Sequence, residues 1–175
     1  MYLIFILPIS ILIAALCLFL GRTVAAKIAI LNDPVFVPSA DDKLKTMLAL
    51  PTISQKSKII DLGSGDGKVL IALVQKFKLP VVGVELNPIL VHQSRQKIAE
   101  ARYAKIISVQ NKSFWKVNLR PYDVVFLYGT DYIMKRLEQK VKTEMKPGSQ
   151  FVSNHFQFST LKPIKTQNGV YLYRL

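Results

Sequence analysis

The sequence predicts an α/β fold, a largely parallel sheet flanked by helices, carried behind one apolar N-terminal segment. Three observations predict it. Residues Met1 to Gly21 hold no charged side chain, and all 24 Lys and Arg and all 11 Asp and Glu lie beyond them. After Pro34, short β-branched runs alternate with helical stretches, the pattern of repeated strand–helix–strand units. The first of these units turns through the glycine-rich run Asp61-Leu62-Gly63-Ser64-Gly65-Asp66-Gly67.

The run from Tyr2 to Leu20 is about the length a helix needs to span a bilayer core, and Pro8 near its start is tolerable there. A cleaved signal peptide would show a basic stretch ahead of a shorter apolar run. Nothing basic precedes this one, so the expectation is an uncleaved transmembrane anchor over residues 1–21. Arg22 and Lys27 follow, and the remainder carries the whole formal charge of +13. The positive-inside tendency then predicts a single-pass membrane protein with its domain on the cytoplasmic side. Residues 22–33 read as a juxtamembrane connector, ended by Asn32-Asp33-Pro34, and residues 34–175 as one folded domain. The basic surplus calls for an anionic partner, nucleic acid or the anionic cytoplasmic leaflet. One cysteine, Cys17, excludes an internal disulfide and a cysteine-based zinc site. With only two histidines, His92 and His155, far apart in sequence, no metal is expected.

Within the domain, Ser39 and Asp42 have capping-box-like spacing ahead of a helix to about Leu50. Lys58 to Leu62 reads as the first strand, Lys68 to Phe77 as a helix, and Val81 to Glu85 as the second strand. Asn87 caps a helix with Pro88 at its first position, running to about Arg102. Ile106 to Gln110 and Asp123 to Tyr128 are the third and fourth strands. Thr130 or Asp131 opens a helix to about Lys146, with Ile133, Leu137 and Val141 on one face. Gln150 to Asn154 is the fifth strand. Leu161 to Thr166 and Val170 to Arg174 form a terminal hairpin around Asn168-Gly169.

The glycine run carries the chemistry. Glycines at a strand-to-helix turn let the backbone approach a ligand and face it with a helix N-terminus. Asp61 ends the first strand, Asp66 lies inside the loop, and Glu85 ends the second strand, near the spacing at which a carboxylate binds ribose hydroxyls. A pyrophosphate here would be repelled by Asp61 and Asp66, whereas a ligand with an amino group and a sulfonium would be attracted. No Gly-Lys-Ser/Thr P-loop is present.

At these residues the chain resembles the class I methyltransferases that use S-adenosylmethionine (SAM). The resemblance implies a seven-stranded Rossmann-like sheet with an antiparallel hairpin at its C-terminal end, SAM as cofactor, the glycine loop around its methionine part and Glu85 on its ribose. The expected cofactor-binding residues are Asp61, Gly63, Ser64, Gly65, Asp66, Gly67, Glu85, Leu86, Asn87, Asn111, Ser113 and Phe114. A closer resemblance rests on four stretches: Asn32-Asp33-Pro34-Val35-Phe36-Val37-Pro38-Ser39, the glycine run through Lys68, Val84-Glu85-Leu86-Asn87-Pro88, and Phe114-Trp115-Lys116-Val117. These look like the family of the mitochondrial lysine methyltransferases of the ATP synthase c subunit and the adenine nucleotide translocase, which has prokaryotic members with one N-terminal hydrophobic segment. It implies methylation of lysine side chains in proteins, with membrane proteins as substrates. Ser113 stands two positions before the tryptophan, where the family commonly carries an acid, so Ser113 or Asn111 is expected at the adenine amino group.

A lysine amine must be neutral to accept a methyl, and near pH 7 only about one in 10³ is. A narrow aromatic-lined channel is expected to desolvate it. Tyr128, at the end of the fourth strand, belongs beside the methyl group, Asp33 positions the amine or relays its proton, and Phe36, Trp115, His155 and Phe156 line the wall. The fourth strand ends Phe126-Leu127-Tyr128-Gly129-Thr130, without the Asn-Pro-Pro-Tyr signature of amide and exocyclic-amine methylation, so nucleic acid is not the expected partner. The alternatives are methylation of a lipid or quinone-like small molecule, and a non-catalytic membrane scaffold built on the same fold.

Overall fold

The computed structural model of the chain describes residues 15–21 and 41–175. The chain divides into two compact units, Met1–Asp33 and Pro34–Leu175. In the first, residues 15–21 are helical and exposed. The rest of the expected anchor, the connector 22–33, the candidates Asp33 and Phe36, and the capping residue Ser39 lie outside the described residues. Among the described residues, no helix is long and apolar enough to cross a membrane.

The second unit runs α1 (Asp41–Ala49), β1 (Ile59–Leu62), α2 (Lys68–Phe77), β2 (Val81–Glu85), α3 (Pro88–Glu100), β3 (Ile107–Asn111), a 3-10 turn (Phe114–Lys116), β4 (Val124–Tyr128), α4 (Asp131–Glu144), β5 (Gln150–Asn154), β6 (Lys165–Gln167) and β7 (Val170–Arg174). The seven strands form one sheet in the order β3-β2-β1-β4-β5-β7-β6. Strands β1 to β5 pair in parallel, and β7 is antiparallel to both of its neighbours. This is the sheet the sequence resemblance implies, and the physical reason is legible in the strands. The central strands β1 and β4 are mostly apolar and buried on both faces, as parallel strands covered by helices must be.

Alternation along the strands sorts the core into two layers. Ile59, Val81, Ile107, Phe126 and Val152 face α1, α2 and α3 and pack with Met47, Leu70, Leu73, Val91 and Ile98. Ile60, Val84, Val125, Leu127 and Phe151 face the other way and pack with Phe114, Ile133, Leu137 and Val141 under α4. Helix α3 starts where the sequence predicts: the Asn87 side chain accepts from the Ile89 N–H at 3.0 Å, and Pro88 takes the first turn. The β6–β7 turn uses Asn168 and Gly169, both at positive φ (50° and 67°), as a tight hairpin requires.

One strand departs from expectation. β6 spans Lys165–Gln167 rather than Leu161 to Thr166. The backbone N–H groups of Ser159, Thr160 and Leu161 are already taken by the buried carboxylate of Glu138, at 2.8, 3.0 and 2.7 Å. Pro163 has no N–H to give. Pairing with β7 therefore begins only at Ile164, whose N–H reaches the Leu172 carbonyl at 2.7 Å.

Glu138 holds that crossing segment onto α4. Burial alone would raise its pKa, but the Thr160 hydroxyl and the three N–H donors outweigh it and bring it down to about 2. Its stabilising contribution is therefore complete above the ordinary value of 4.5 and is lost as pH falls through about 2. Glu138→Gln is expected to lower stability at pH 7 by roughly 1–3 kcal/mol, because an amide NH₂ would face N–H donors. Urea midpoints of the two proteins should converge as the pH is taken down toward 2; a gap that widens in acid would refute this account.

Candidate functional site

The two-layer alternation also fixes where the polar strand ends point. Glu85 and Asn111 share a register row, as do Tyr128 and Asn154. Asp61 aligns with Gly83 and Phe126, one pleat deeper. All of these positions fall on the face covered by α1, α2 and α3. At its carboxyl edge the sheet thus presents, strand by strand, Asn111, Glu85, Asp61, Tyr128 and Asn154, where open parallel sheets bind ligands.

The glycine loop is clamped to the second strand. The Gly63 and Ser64 N–H groups both donate to the Val84 carbonyl, at 2.8 and 2.9 Å. Glu85 then organises both sides of the site: one oxygen accepts from the Gly65 N–H at 3.0 Å, the other from the Asn87 N–H at 2.8 Å. Each carboxylate oxygen keeps a further lone pair for a ligand hydroxyl. The Asn111 amide donates to the Glu85 and Leu86 carbonyls at 3.0 and 2.9 Å, tying the end of β3 to the same corner. Gly67 closes the loop at φ 84° as the N-cap of α2. A Cβ there would collide with Ser94 Oγ and lie 3.2 Å from Ser94 Cβ.

Asp61 is 3 % exposed. Burial, and secondarily the charge of Glu85, pushes its carboxyl well above the ordinary carboxylate range. No salt bridge neutralises it among the described residues. Such a buried acid beside a second acid fits a cationic group and rejects an anionic one. Ser64 Oγ, also buried, has no hydrogen-bond partner among the described residues. An open backbone loop, a carboxylate with spare acceptors and a buried acid seeking a cation together fit SAM's amino-acid and ribose parts.

Several expected site residues also have partners within the protein. The Asp66 carboxylate forms an ion pair with Lys97 at 2.6 Å and accepts from the Lys68 N–H at 3.3 Å. Ser113 caps the 3-10 turn through the Trp115 N–H at 3.4 Å. Phe114 is buried in the layer under α4, its ring 4.6 Å from that of Trp115. Trp115 lies beneath the Arg136 guanidinium, 4.1 Å from its ring centroid, on that same side. His155 is exposed, with φ 78°, and its Nδ1 meets Lys43 Nζ at 3.3 Å.

Two residues that the sequence does not offer as site candidates emerge in the fold. Asn154 is fully buried, and neither its Oδ1 nor its Nδ2 has a hydrogen-bond partner among the described residues. Thr130 Oγ1, at the N-cap of α4, is buried and makes no capping bond. The sequence signal for Asn154 was parity: it shares a face with Val152 and a row with Tyr128.

Comparison with known proteins bears on the same residues. The family model described as the ANTKMT methyltransferase domain matches residues 61–165. A protein-lysine N-methyltransferase of Saccharolobus islandicus is 29% identical over 147 residues, 79% of this chain and 91% of that protein. The Mus musculus lysine N-methyltransferase of the ATP synthase c subunit is 30% identical over 131 residues, 75% of this chain. The chain spans about half of that relative, 52% of its length. Among solved structures, an RNA methyltransferase of Salinibacter ruber in complex with S-adenosyl-L-homocysteine superposes with a TM-score of 0.73 at 26% identity, covering 79% of this chain and 92% of that one.

Proposed function

The chain belongs to the ANTKMT methyltransferase domain family, SAM-dependent enzymes, and we propose that within it this protein is a membrane-anchored protein-lysine N-methyltransferase acting on membrane proteins. The single observation that carries the reading is the carboxyl-edge row on one sheet face. Glu85 and the glycine loop form its cofactor end, and Tyr128 begins an acceptor end on β4. When bound, SAM supplies an electrophilic methyl on a sulfonium. Glu85 would hold the ribose hydroxyls, Asp61 the amino group, and Asn111 with Ser113 the adenine. Tyr128, half-buried beside Asn154, would wall the approach of the amine and exclude water. Asp33 would position the amine or relay its proton, and Phe36 and His155 would line the channel wall. The anchor over residues 1–21 and a cytoplasmic domain are supported by the uncharged N-terminal run and the +13 that follows it.

The pH dependence of cofactor binding follows from Asp61. A bound ammonium favours the ionised carboxylate, so binding expels a proton wherever the free carboxyl is protonated. SAM affinity should rise with pH through the raised Asp61 pKa, until the ammonium of SAM itself loses its proton. Asp61→Asn should bind more weakly and lose the dependence. Calorimetry in two buffers of different ionisation enthalpy checks this: a wild-type affinity that climbs toward acid would contradict it.

A second reading, methylation of RNA, draws on the charge of +13 and on the likeness to the Salinibacter ruber RNA methyltransferase. The deciding experiment incubates the full chain with methyl-labelled SAM and membranes and RNA from its source organism. Alkali-stable label mapped to lysine in a membrane protein supports the proposal. Label confined to RNA or to extracted lipid sinks it and leaves the methyltransferase.

A further inference from the structure

Resting on that reading, we propose that Asn154 receives the acceptor: its side-chain oxygen accepts one N–H of the neutral lysine amine and aims the lone pair past Tyr128 toward the methyl.

The first ground is the state of the side chain. Asn154 is 0% exposed, at the end of β5, and both polar atoms of its amide are unpaired among the described residues. Buried amides are nearly always satisfied, and an exception calls for a ligand or a functional explanation. The surrounding backbone is held in the sheet. Asn154 pairs with Tyr128 of β4 on one side and Val170 of β7 on the other. The turn beyond it is pinned by the His155 N–H on the Gly169 carbonyl at 2.8 Å and by Ser153 Oγ on the Phe156 carbonyl at 2.5 Å. The amide is thus held in place by the sheet while its hydrogen-bonding atoms stay unpaired among the described residues.

The second ground is position. The strand order β2-β1-β4-β5 puts Asn154 two strands from the glycine-loop strand, about 10 Å away at the usual strand spacing. The cofactor end of the row is already furnished by Asp61 and Glu85. Asn154 stands at the opposite end, beyond Tyr128, where the second reactant must arrive. Thr130, whose hydroxyl is likewise unpartnered among the described residues, leaves the sheet two residues past Tyr128.

The third ground is chemistry. A carboxylate at this place would hold the lysine as an ammonium, which has no lone pair. An amide oxygen is an uncharged acceptor and tolerates the neutral amine, which has shed its proton to water before entering. As the N–C bond forms and the C–S bond breaks, the positive charge passes from sulfur to the amine nitrogen. The departing sulfide is neutral, and the methylated amine leaves as a cation. The amide dipole therefore faces more positive charge in the transition state than in the ground state, which favours the forward step.

The test uses Asn154→Leu, which keeps the branching of the side chain, and Asn154→Ala, which leaves room in the site. Each is compared with wild type by melting temperature, by SAM affinity in calorimetry, and by the rate of lysine labelling in source-organism membranes. Because no described protein group pairs with the amide, at least one variant should melt no lower than wild type. SAM Kd should stay within threefold, and lysine labelling should fall on the order of 10- to 100-fold. Labelling within threefold of wild type overturns the proposal. So does a tenfold loss of SAM affinity, which would hand Asn154 to the cofactor, or a loss of labelling that merely tracks a fall in melting temperature in both variants. If wild type labels no lysine at all, the protein-lysine reading itself has failed, and that is seen before either variant is read.

Discussion

Glu85→Ala should weaken SAM binding by about 100- to 1,000-fold and abolish methyl transfer at ordinary cofactor concentrations. Two losses combine. A hydrogen bond to a charged acceptor is worth roughly 1.5–3 kcal/mol, and a ribose offers two hydroxyls to this carboxylate. The carboxylate also accepts from the Gly65 and Asn87 N–H groups, so its removal slackens both the glycine loop and the turn into α3. Glu85→Gln separates the two effects. It preserves shape and one acceptor, so SAM affinity should fall at least tenfold but less than in the alanine variant. Circular dichroism should show the sheet retained in both. Calorimetric Kd values within threefold of wild type would remove Glu85 from the cofactor site.

Gly67→Ala is expected to cost about 3 kcal/mol of stability and to lower the melting temperature by about 10 °C. Its φ of 84° lies in the left-handed region, where an L side chain costs roughly 1–2 kcal/mol. The added methyl also strikes Ser94, a fully buried residue of α3, and overpacking adds about 1–3 kcal/mol. Ser94→Gly in the same chain removes the obstacle but leaves the backbone strain. The double variant should therefore not recover fully, after allowing for glycine inside a helix. A Gly67→Ala protein that melts with wild type would show that α2 and α3 can part at no cost.

The sequence made the sheet legible because its central strands are short, β-branched and mostly apolar on both faces, and its helices carry explicit signals such as Asn87-Pro88. Equally legible was the meeting of the glycine loop with the end of the second strand, where the Gly65 N–H donates to the Glu85 carboxylate. The rest depended on long-range partners that no local pattern announces. The pattern starts β6 too early because nothing near Leu161 says that its N–H belongs to Glu138, 23 residues back. Trp115 reads as a wall of the acceptor channel because it is large and aromatic. Its side of the sheet is set instead by packing against Phe114 and Arg136. His155 draws attention because imidazole is chemically versatile. Asn154 does not, because an amide at a strand end looks like an ordinary turn residue until its burial is seen, with both polar atoms unpaired among the described residues.

The carboxyl-edge row also says how such an enzyme can diversify. Asn111, Glu85 and Asp61 belong to β3, β2 and β1, while Tyr128 and Asn154 belong to β4 and β5. The two groups meet only along the β1–β4 seam, where the paired residues are Ile59, Ile60, Asp61 and Leu62 against Val124, Val125, Phe126 and Leu127. Substitutions at the exits of β4 and β5 can therefore change the Tyr128–Asn154 end of the row without passing through the glycine loop. On the proposed reading, a change at the two strand tips alters the end that meets the acceptor and leaves the backbone turn at the donor end as it is.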